Sequence, residues 1–264
     1  MIWRGEKLNI YITCSQCIRL SKNPPDSQDF QFYKVLVNDE GVYNFTCYKG
    51  HETTAITAYD KYQILFQMAA NALLDGYYFE AVGCFIASVE RFREWVIKFI
   101  WYLNGIDEEI TEELWKKQLK NSSERQLGAF SSMVINHFKE APPIFDDIQN
   151  KFRNSVLHKG MIPTKDESYK FGEYVFNYIR SIQKNIYIQY NSESFEFSSK
   201  ELNKGLLNFK TSQLMNGEVI PQNASEMILV MGYSVVRSTN FQDEIKILKD
   251  YKNTYHLHDI KYYK

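Results

Sequence analysis

The feature that most restricts the fold of this chain is a run of apolar residues at helical spacing from Tyr59 to Leu103. Apolar side chains recur in this run every three or four positions, which is the spacing of one face of an α-helix. The pattern is interrupted at Asp75–Gly76, a pair that is typical of a turn between two helices. We therefore predict two antiparallel helices, over about residues 60–74 and 78–103.

Helical patterns continue downstream and are bounded by recognisable end signals. The further predicted helices cover about residues 110–120, 122–139, 144–158 and 164–184. Pro142 and Pro143 interrupt the chain between two of them, and Gly160 stands where a helix C-cap glycine is expected. Thr164 to Glu167 has the spacing of a capping box, which predicts the start of the last of these helices. Residues 186–198 alternate like a strand, and the remainder of the chain has a mostly helical pattern.

The N-terminal part of the chain has a different character, because alternating segments and turn residues there predict strands and loops. A hairpin closed by Asn38–Gly41 is predicted between the segments FQFYKVLV and VYNFTC, and residues 21–29 form a loop by composition. The fold class is therefore mainly α, with a small β lobe. The predicted domains are a zinc-ribbon-like β lobe over 1–57, a helical domain over 58–185 and a C-terminal α(+β) extension over 186–264.

The charge balance limits the ligands that the chain can attract as a whole. The formal net charge is −1 over 264 residues, so any polyanion must be bound by a local basic patch. No run of about 18 apolar residues is present, so no transmembrane helix and no membrane partner are expected. The N-terminus lacks the apolar core of a signal peptide. We expect a cytoplasmic protein, in which four cysteines are thiols or metal ligands rather than disulfides.

Two short cysteine motifs predict a metal site in the β lobe. Cys14 and Cys17 form a C-x2-C, whereas Cys47 and His51 form a C-x3-H that contains Gly50. Three thiolates and one imidazole suit tetrahedral Zn²⁺, and a site closed by four protein ligands has a structural role. The alternative interpretation is a set of unrelated thiols in a loop-rich lobe.

The segment KFRNSVLHKG carries a group of polar residues inside a predicted helix. Asn154 and His158 are four positions apart and share one face, and Arg153 is about 100° from Asn154 around the helix axis. The predicted core stripe of the same helix repeats every four residues, at Ile148, Phe152 and Val156. The three polar residues therefore form a corner beside this stripe, at the C-terminal end of the helix.

These three residue types suit one kind of chemistry. Arginine binds phosphate oxygens with a fixed fork of donors, and histidine moves a proton near neutral pH. Asparagine orients a hydroxyl or a phosphate. Together they suit attack of an RNA 2′-OH on its neighbouring phosphate, a reaction that needs no metal ion. The alternative is that Arg153 pairs with a surface carboxylate, Asn154 is solvated and His158 stabilises the end of the helix.

The segment RNSVLHKG resembles the R-x4-H motif of the HEPN superfamily, which many of its ribonuclease members write as Arg-Asn-x3-His. The helical pair containing LDGYYFEAVGCFIASVERFREWV resembles the first two helices of that family. Glu90, in ASVERF, stands where many members carry an acidic residue facing the motif. The resemblance covers about residues 60–185, and the N-terminal lobe is similar to zinc-binding lobes attached to bacterial HEPN proteins.

The resemblance implies a function and a partner. HEPN domains usually form homodimers in which two motif helices line one cleft, and many are toxins or antiviral effectors that cut RNA. It implies proton transfer by His158, phosphate binding by Arg153, positioning by Asn154 and orientation of the arginine by Glu90. In one subgroup, a tyrosine two residues after the histidine is modified by a partner enzyme. Gly160 occupies that position here, so the resemblance does not imply such a partner.

Three functions therefore compete. The first is a metal-independent endoribonuclease in prokaryotic antiviral defence or a toxin or stress response. The second is a non-catalytic HEPN scaffold whose zinc lobe binds a partner or nucleic acid. The third is a transcription-associated zinc-ribbon protein with a helical body. The Arg-Asn-His set favours the first, and the lack of a basic run on any predicted helix weakens the third.

Overall fold

A computed structural model of the protein describes residues 9–20, 32–207, 219–222, 228–229 and 240–255. The chain divides into two compact units. The first unit takes its residues from 1–59, 199–226 and 250–264, and the second takes them from 60–198 and 227–249. The predicted loop at 21–29 lies outside the described residues.

Helices account for most of the described residues, which confirms the predicted fold class of a mainly α protein with a small β lobe. The described helices are α1 (Ser15–Leu20), α2 (Lys61–Leu74), α3 (Tyr78–Leu103), α4 (Glu108–Leu114), α5 (Ser123–Phe138), α6 (Asp147–Lys159), α7 (Lys165–Leu207) and α8 (Phe241–Tyr255). A π-helical turn over Trp115–Leu119 continues α4. The described strands are β1 (Asn9–Thr13), β2 (Phe32–Leu36), β3 (Val42–Thr46), β4 (Glu52–Thr57) and β5 (Val219–Gln222).

The strands of the first unit form two small sheets. β1 pairs antiparallel with β2, while β4 pairs antiparallel with β3 and parallel with β5. The predicted hairpin between β2 and β3 is wrong, because these strands lie in different sheets. Asn38–Gly41 does form a turn, in which the Gly41 amide donates to Asn38 Oδ1 at 2.7 Å. The chain then reverses again at Cys47–His51, so β4 becomes the antiparallel neighbour of β3.

A small core joins the two sheets of the first unit. The rings of Tyr33 on β2 and Phe45 on β3 lie 4.8 Å apart between centroids. The Tyr33 hydroxyl also accepts a hydrogen bond from the Tyr48 amide at 3.0 Å. Ile12 and the three cysteines at positions 14, 17 and 47 complete this buried cluster. The three candidate cysteine ligands are therefore part of the core of the lobe.

The second unit is built on the antiparallel pair α2 and α3, which confirms the predicted helical hairpin to within one residue at each of the four helix ends. Gly76 joins the two helices with a φ of 84°, a left-handed conformation that glycine adopts without strain. Phe66 on α2 contacts Phe85 on α3 and Phe241 on α8, at centroid distances of 5.1 and 6.1 Å. These buried aromatic rings tie the hairpin to the C-terminal helix.

The long helix α7 corrects the strand predicted for residues 186–198. The spacing of Ile179, Ile182 and Ile186, all buried, carries the helical period of the upstream segment into this stretch. Tyr190 alone has a non-helical conformation, with φ −142° and ψ 39°. Local alternation therefore gave the wrong period, because packing against the helical core determines the structure here.

The helix signals at the end of α6 and at the start of α7 behave as predicted. Gly160 adopts the left-handed C-cap conformation, with a φ of 69°. Thr164 and Glu167 form the capping box, since the Thr164 amide donates to Glu167 Oε2 at 2.8 Å and the Glu167 amide donates to Thr164 Oγ1 at 3.3 Å. Among the described helices, none has an apolar stretch of the length needed to cross a bilayer.

Gly172 on α7 provides a test of this packing. A Cβ added there would lie 2.7 Å from Phe85 Cζ and 2.9 Å from Phe241 Cζ, and both rings are buried. Because overpacking a rigid core is destabilising, Gly172→Ala should lower the free energy of unfolding by about 1–3 kcal/mol in urea denaturation. Gly128→Ala on α5, where a Cβ meets nothing within 4 Å, should raise it by up to about 1 kcal/mol. Equal effects of the two substitutions would contradict this packing.

Candidate metal centre and arginine–histidine helix

The structure brings together all four of the predicted metal ligands. Cys14 follows β1 and Cys17 lies in the first turn of α1, while Cys47 follows β3 and His51 precedes β4. One ligand atom from each of the four residues lies within 4.8 Å of every other. This group can therefore hold one metal ion.

Backbone hydrogen bonds form the turn that carries Cys47 and His51. The Gly50 amide donates to the Cys47 carbonyl and the Cys47 amide donates to the His51 carbonyl, both at 2.9 Å. The His51 amide points at Cys47 Sγ, at 3.4 Å. Gly50 has a φ of +83°, which explains the glycine within the C-x3-H motif. The turn thus directs both donor atoms to the same side.

Three of the six distances among these donors match the edges of a tetrahedral site. With metal–sulfur bonds of about 2.3 Å and metal–nitrogen bonds of about 2.0 Å, tetrahedral edges are about 3.8 Å between sulfurs and about 3.5 Å from sulfur to nitrogen. Cys17 Sγ lies 3.7 Å from Cys47 Sγ and 3.4 Å from His51 Nδ1. Cys14 Sγ lies 3.8 Å from the same nitrogen. His51 therefore offers Nδ1 as its ligand atom.

Electrostatics within the cluster also favour a bound cation. Burial raises the pKa of the Cys14 thiol, but hydrogen bonds to its sulfur outweigh this effect and leave the pKa below its usual value. The first of these comes from the Thr53 hydroxyl, 3.2 Å away. Burial, followed by the neighbouring sulfurs of Cys47 and Cys14, raises the pKa of Cys17. A metal cation would stabilise the additional thiolates that burial disfavours.

The predicted phosphate-binding and proton-transfer residues all lie on α6. Its first turn is acidic, with Asp146 accepting hydrogen bonds from the amides of Ile148 and Gln149 as the N-cap. Its last turn is basic and contains His158 and Lys159. Cations at a helix C-terminus are favoured by the helix dipole, and the basic residues of the last turn lie at the end that carries His158.

Glu90 and Arg153 connect α6 to α3. Arg153 Nη2 lies 3.4 Å from Glu90 Oε1, and the two side chains are 25% and 30% exposed. This long, single contact restrains the guanidinium but leaves most of its donors unused. Within the described part of the chain, Arg153 donates to no other side chain. The predicted orientation of the arginine by Glu90 is thus compatible with the contact.

Asn154 and His158 are exposed on the outer face of α6, with Arg153 on its flank. The predicted core stripe holds for Val156, which is buried, and for Phe152, which is half-buried. It is wrong for Ile148, which is 73% exposed. A four-residue repeat drifts by about 40° per step around a 3.6-residue helix, so Ile148 lies about 80° from Val156.

Two residues near these sites were not identified from the sequence. The Thr53 hydroxyl forms a hydrogen bond with the Cys14 sulfur, a role that its strand alternation does not distinguish from that of an ordinary buried threonine. Arg93 is buried on α3, and its hydrogen-bond partner Tyr178 lies 85 positions away. Long-range contacts of this kind have no signal in one sequence.

Comparisons of this chain with protein-family models, curated proteins and solved structures find no match.

The cluster geometry predicts one bound metal ion per chain. Elemental analysis of freshly purified, reduced protein should find about one metal ion per chain, and Cys47→Ala should abolish binding because it opens the tetrahedron. Cys84→Ala is the matched control, since Cys84 is a free cysteine outside the cluster. Removal of the ion with a chelator should destabilise the first unit, because metal-binding energy contributes to folding. Less than about a tenth of an ion per wild-type chain would contradict this prediction.

Proposed function

We propose that this chain is a metal-independent endoribonuclease of HEPN type, stabilised by a structural zinc ion. The observation that carries the proposal is the pairing of Arg153 with Glu90 across α3 and α6, next to an exposed Asn154 and His158 on the same helix. The same helix thus carries a restrained cation and, about one and a half turns further along, a solvent-accessible imidazole. The family resemblance of the motif supplies the reaction class.

The reaction is transesterification within RNA. The 2′-oxygen forms a bond to the adjacent phosphorus, the bond from phosphorus to the 5′-oxygen breaks, and the products end in a 2′,3′-cyclic phosphate and a 5′-hydroxyl. His158 transfers the proton. Arg153 binds the phosphate and stabilises the charge of the transition state, Asn154 positions the nucleotide, and Glu90 orients the arginine.

A homodimer completes this site. The 2′-hydroxyl must lose a proton while the leaving oxygen gains one, and a single imidazole can perform only one of these transfers at a time. Two copies of α6 supply two histidines and two arginines, which also form a local cationic cleft in a protein of net charge −1. Ile148 and Ile162, which are 73% and 83% exposed, are available for burial by the second copy.

Zinc is the metal that best suits the cluster. Three cysteines and one histidine are a preferred ligand set of tetrahedral Zn²⁺, and four protein ligands leave no position for a substrate. Zinc therefore stabilises the β lobe and takes no part in RNA cleavage. The family resemblance suggests a setting in prokaryotic antiviral defence or a toxin or stress response. A cytoplasmic location is a separate part of this proposal.

The dimer is tested by light scattering. We expect a particle of twice the chain mass at micromolar concentration, because isologous dimers are the commonest oligomer and the site needs two histidines. Ile148→Glu, which places a charge on an exposed apolar position of the motif helix, should shift the equilibrium towards the monomer. A wild-type chain that remains monomeric while cutting RNA would contradict the composite site.

The roles on α6 are tested by substitution. His158→Ala should reduce the rate of RNA cleavage by about 10²–10⁴-fold, because it removes the proton-transfer group. Arg153→Lys keeps the charge but loses the fork of donors, so it should also be strongly impaired. Neither substitution should lower the melting temperature much, because His158 is exposed and Arg153 lies at the edge of the core.

Lys159→Ala is the matched control for His158→Ala. Lys159 is exposed in the same last turn of α6, so it tests for general effects of charge or helix end. It should retain most of the activity. Cleavage by His158→Ala at the wild-type rate would overturn the mechanism. If a dimeric, zinc-loaded wild-type protein cuts no RNA, the scaffold function replaces the nuclease.

A further inference from the structure

Arg93 on α3 is a buried cation without a counter-charge among the described residues. The residue as a whole is only 8% exposed to solvent. The structure gives its guanidinium one hydrogen bond, from Nε to the Tyr178 hydroxyl at 2.8 Å. Within the described ranges, no carboxylate lies within ion-pair distance of it. Burial of a charged group is unfavourable unless another group compensates it.

The surroundings of Arg93 are aromatic. The guanidinium carbon lies 5.5 Å from the centroid of the Phe145 ring and 5.3 Å from that of Tyr178. These rings provide cation–π attraction, but they carry no negative charge. The other strongly buried arginine of this unit, Arg180, differs in this respect, since Glu244 Oε1 lies 3.9 Å from its Nη2. Among the residues that the structure describes, the absence of a nearby carboxylate therefore distinguishes Arg93 from Arg180.

Arg93 lies on the same side of α3 as the Arg153–Glu90 pair. Glu90 and Arg93 are three residues apart, which is about 4.5 Å along a helix axis. Arg153 reaches Glu90 from α6, and Phe145, in the segment that leads into α6, reaches Arg93. The two arginines therefore both lie where α3 packs against residues 145–153.

We infer that Arg93 binds a second phosphate group, next to the one bound by Arg153. The Tyr178 hydroxyl occupies Nε and leaves the two Nη groups for an oxyanion, which accepts parallel N–H donors well. The nature of the ligand rests on the proposed function, in which the phosphate belongs to the RNA backbone on one side of the cleaved bond. A free phosphate ion offers the same chemistry and is distinguished by experiment.

The test measures binding of a single-stranded oligonucleotide with 2′-deoxyribose throughout, which the proposed reaction cannot cleave. Binding by the purified protein, in whatever oligomeric state it adopts in solution, is followed by fluorescence anisotropy at several salt concentrations. Arg93→Met should weaken binding at least tenfold. It should also reduce the salt dependence of log K by about 0.7, the contribution of one phosphate of a single strand. Arg91→Met is the matched control, because Arg91 is on the same helix and already paired with Glu94; it should leave affinity and slope unchanged.

Two further measurements separate this inference from a purely structural role. Added inorganic phosphate should raise the melting temperature of wild type but not that of Arg93→Met, and without anions the variant should melt lower than wild type because the buried Tyr178 hydroxyl loses its hydrogen bond. If Arg93→Met does not fold, Arg93→Lys provides the test, since it retains the charge, loses the fork and should also bind weakly. Unchanged oligonucleotide affinity in either folded variant overturns the inference.

The remaining outcomes identify the source of the phosphate. Arg93-dependent stabilisation by inorganic phosphate, without any effect on oligonucleotide binding, would overturn the assignment to RNA. A weaker dimer with unchanged oligonucleotide affinity would also overturn it, because the counter-charge would then be a carboxylate of the second copy. If wild type binds the oligonucleotide through Arg93 but cuts no RNA, the proposed nuclease fails and this phosphate position stands. If wild type cuts RNA and Arg93→Met binds normally, this inference alone fails.

Discussion

Burial of α3 along almost its whole length is the constraint on which the candidate RNA site depends. Phe85, Phe92 and Phe99 are completely enclosed by neighbouring elements of the second unit, so the rotation of this helix is fixed by packing. The side chains at its edge consequently have defined positions. Glu90 reaches Arg153 from this edge, and Arg93 lies about one turn further along. A site positioned by a packed core differs from a chance grouping of polar residues on a mobile surface.

The first unit solves a different problem, because it is too small to bury much apolar surface. Its core contains only a few large side chains, such as Tyr33 and Phe45, and it includes three cysteines. The sulfur and nitrogen donors are spaced like the corners of a tetrahedron, so a bound ion can replace the missing apolar contacts. Backbone hydrogen bonds within the turn hold Cys47 and His51 in position for this ion.

Local patterns predicted most of the helices and the metal cluster, because their signals lie within a few residues. The turn at Cys47–His51 and the cap at Gly160 are examples. Predictions failed where a distant partner decides the outcome. Residues 186–198 alternate like a strand, but the core holds them in a helix, and β3 pairs forward with β4 rather than back with β2. Arg93 was missed for the same reason, because its burial depends on Tyr178.

The central claim is that the 2′-hydroxyl of RNA is the nucleophile, activated by the protein's own side chains without a catalytic metal ion. It is tested most directly with two oligonucleotides of one sequence, an RNA and the same RNA with a single 2′-deoxynucleotide before the cleaved bond, each incubated with zinc-loaded protein in EDTA. The account predicts that the RNA is cut and leaves a 2′,3′-cyclic phosphate, while the substituted bond stays intact. Cleavage at the 2′-deoxynucleotide, or a requirement for added Mg²⁺, would contradict it.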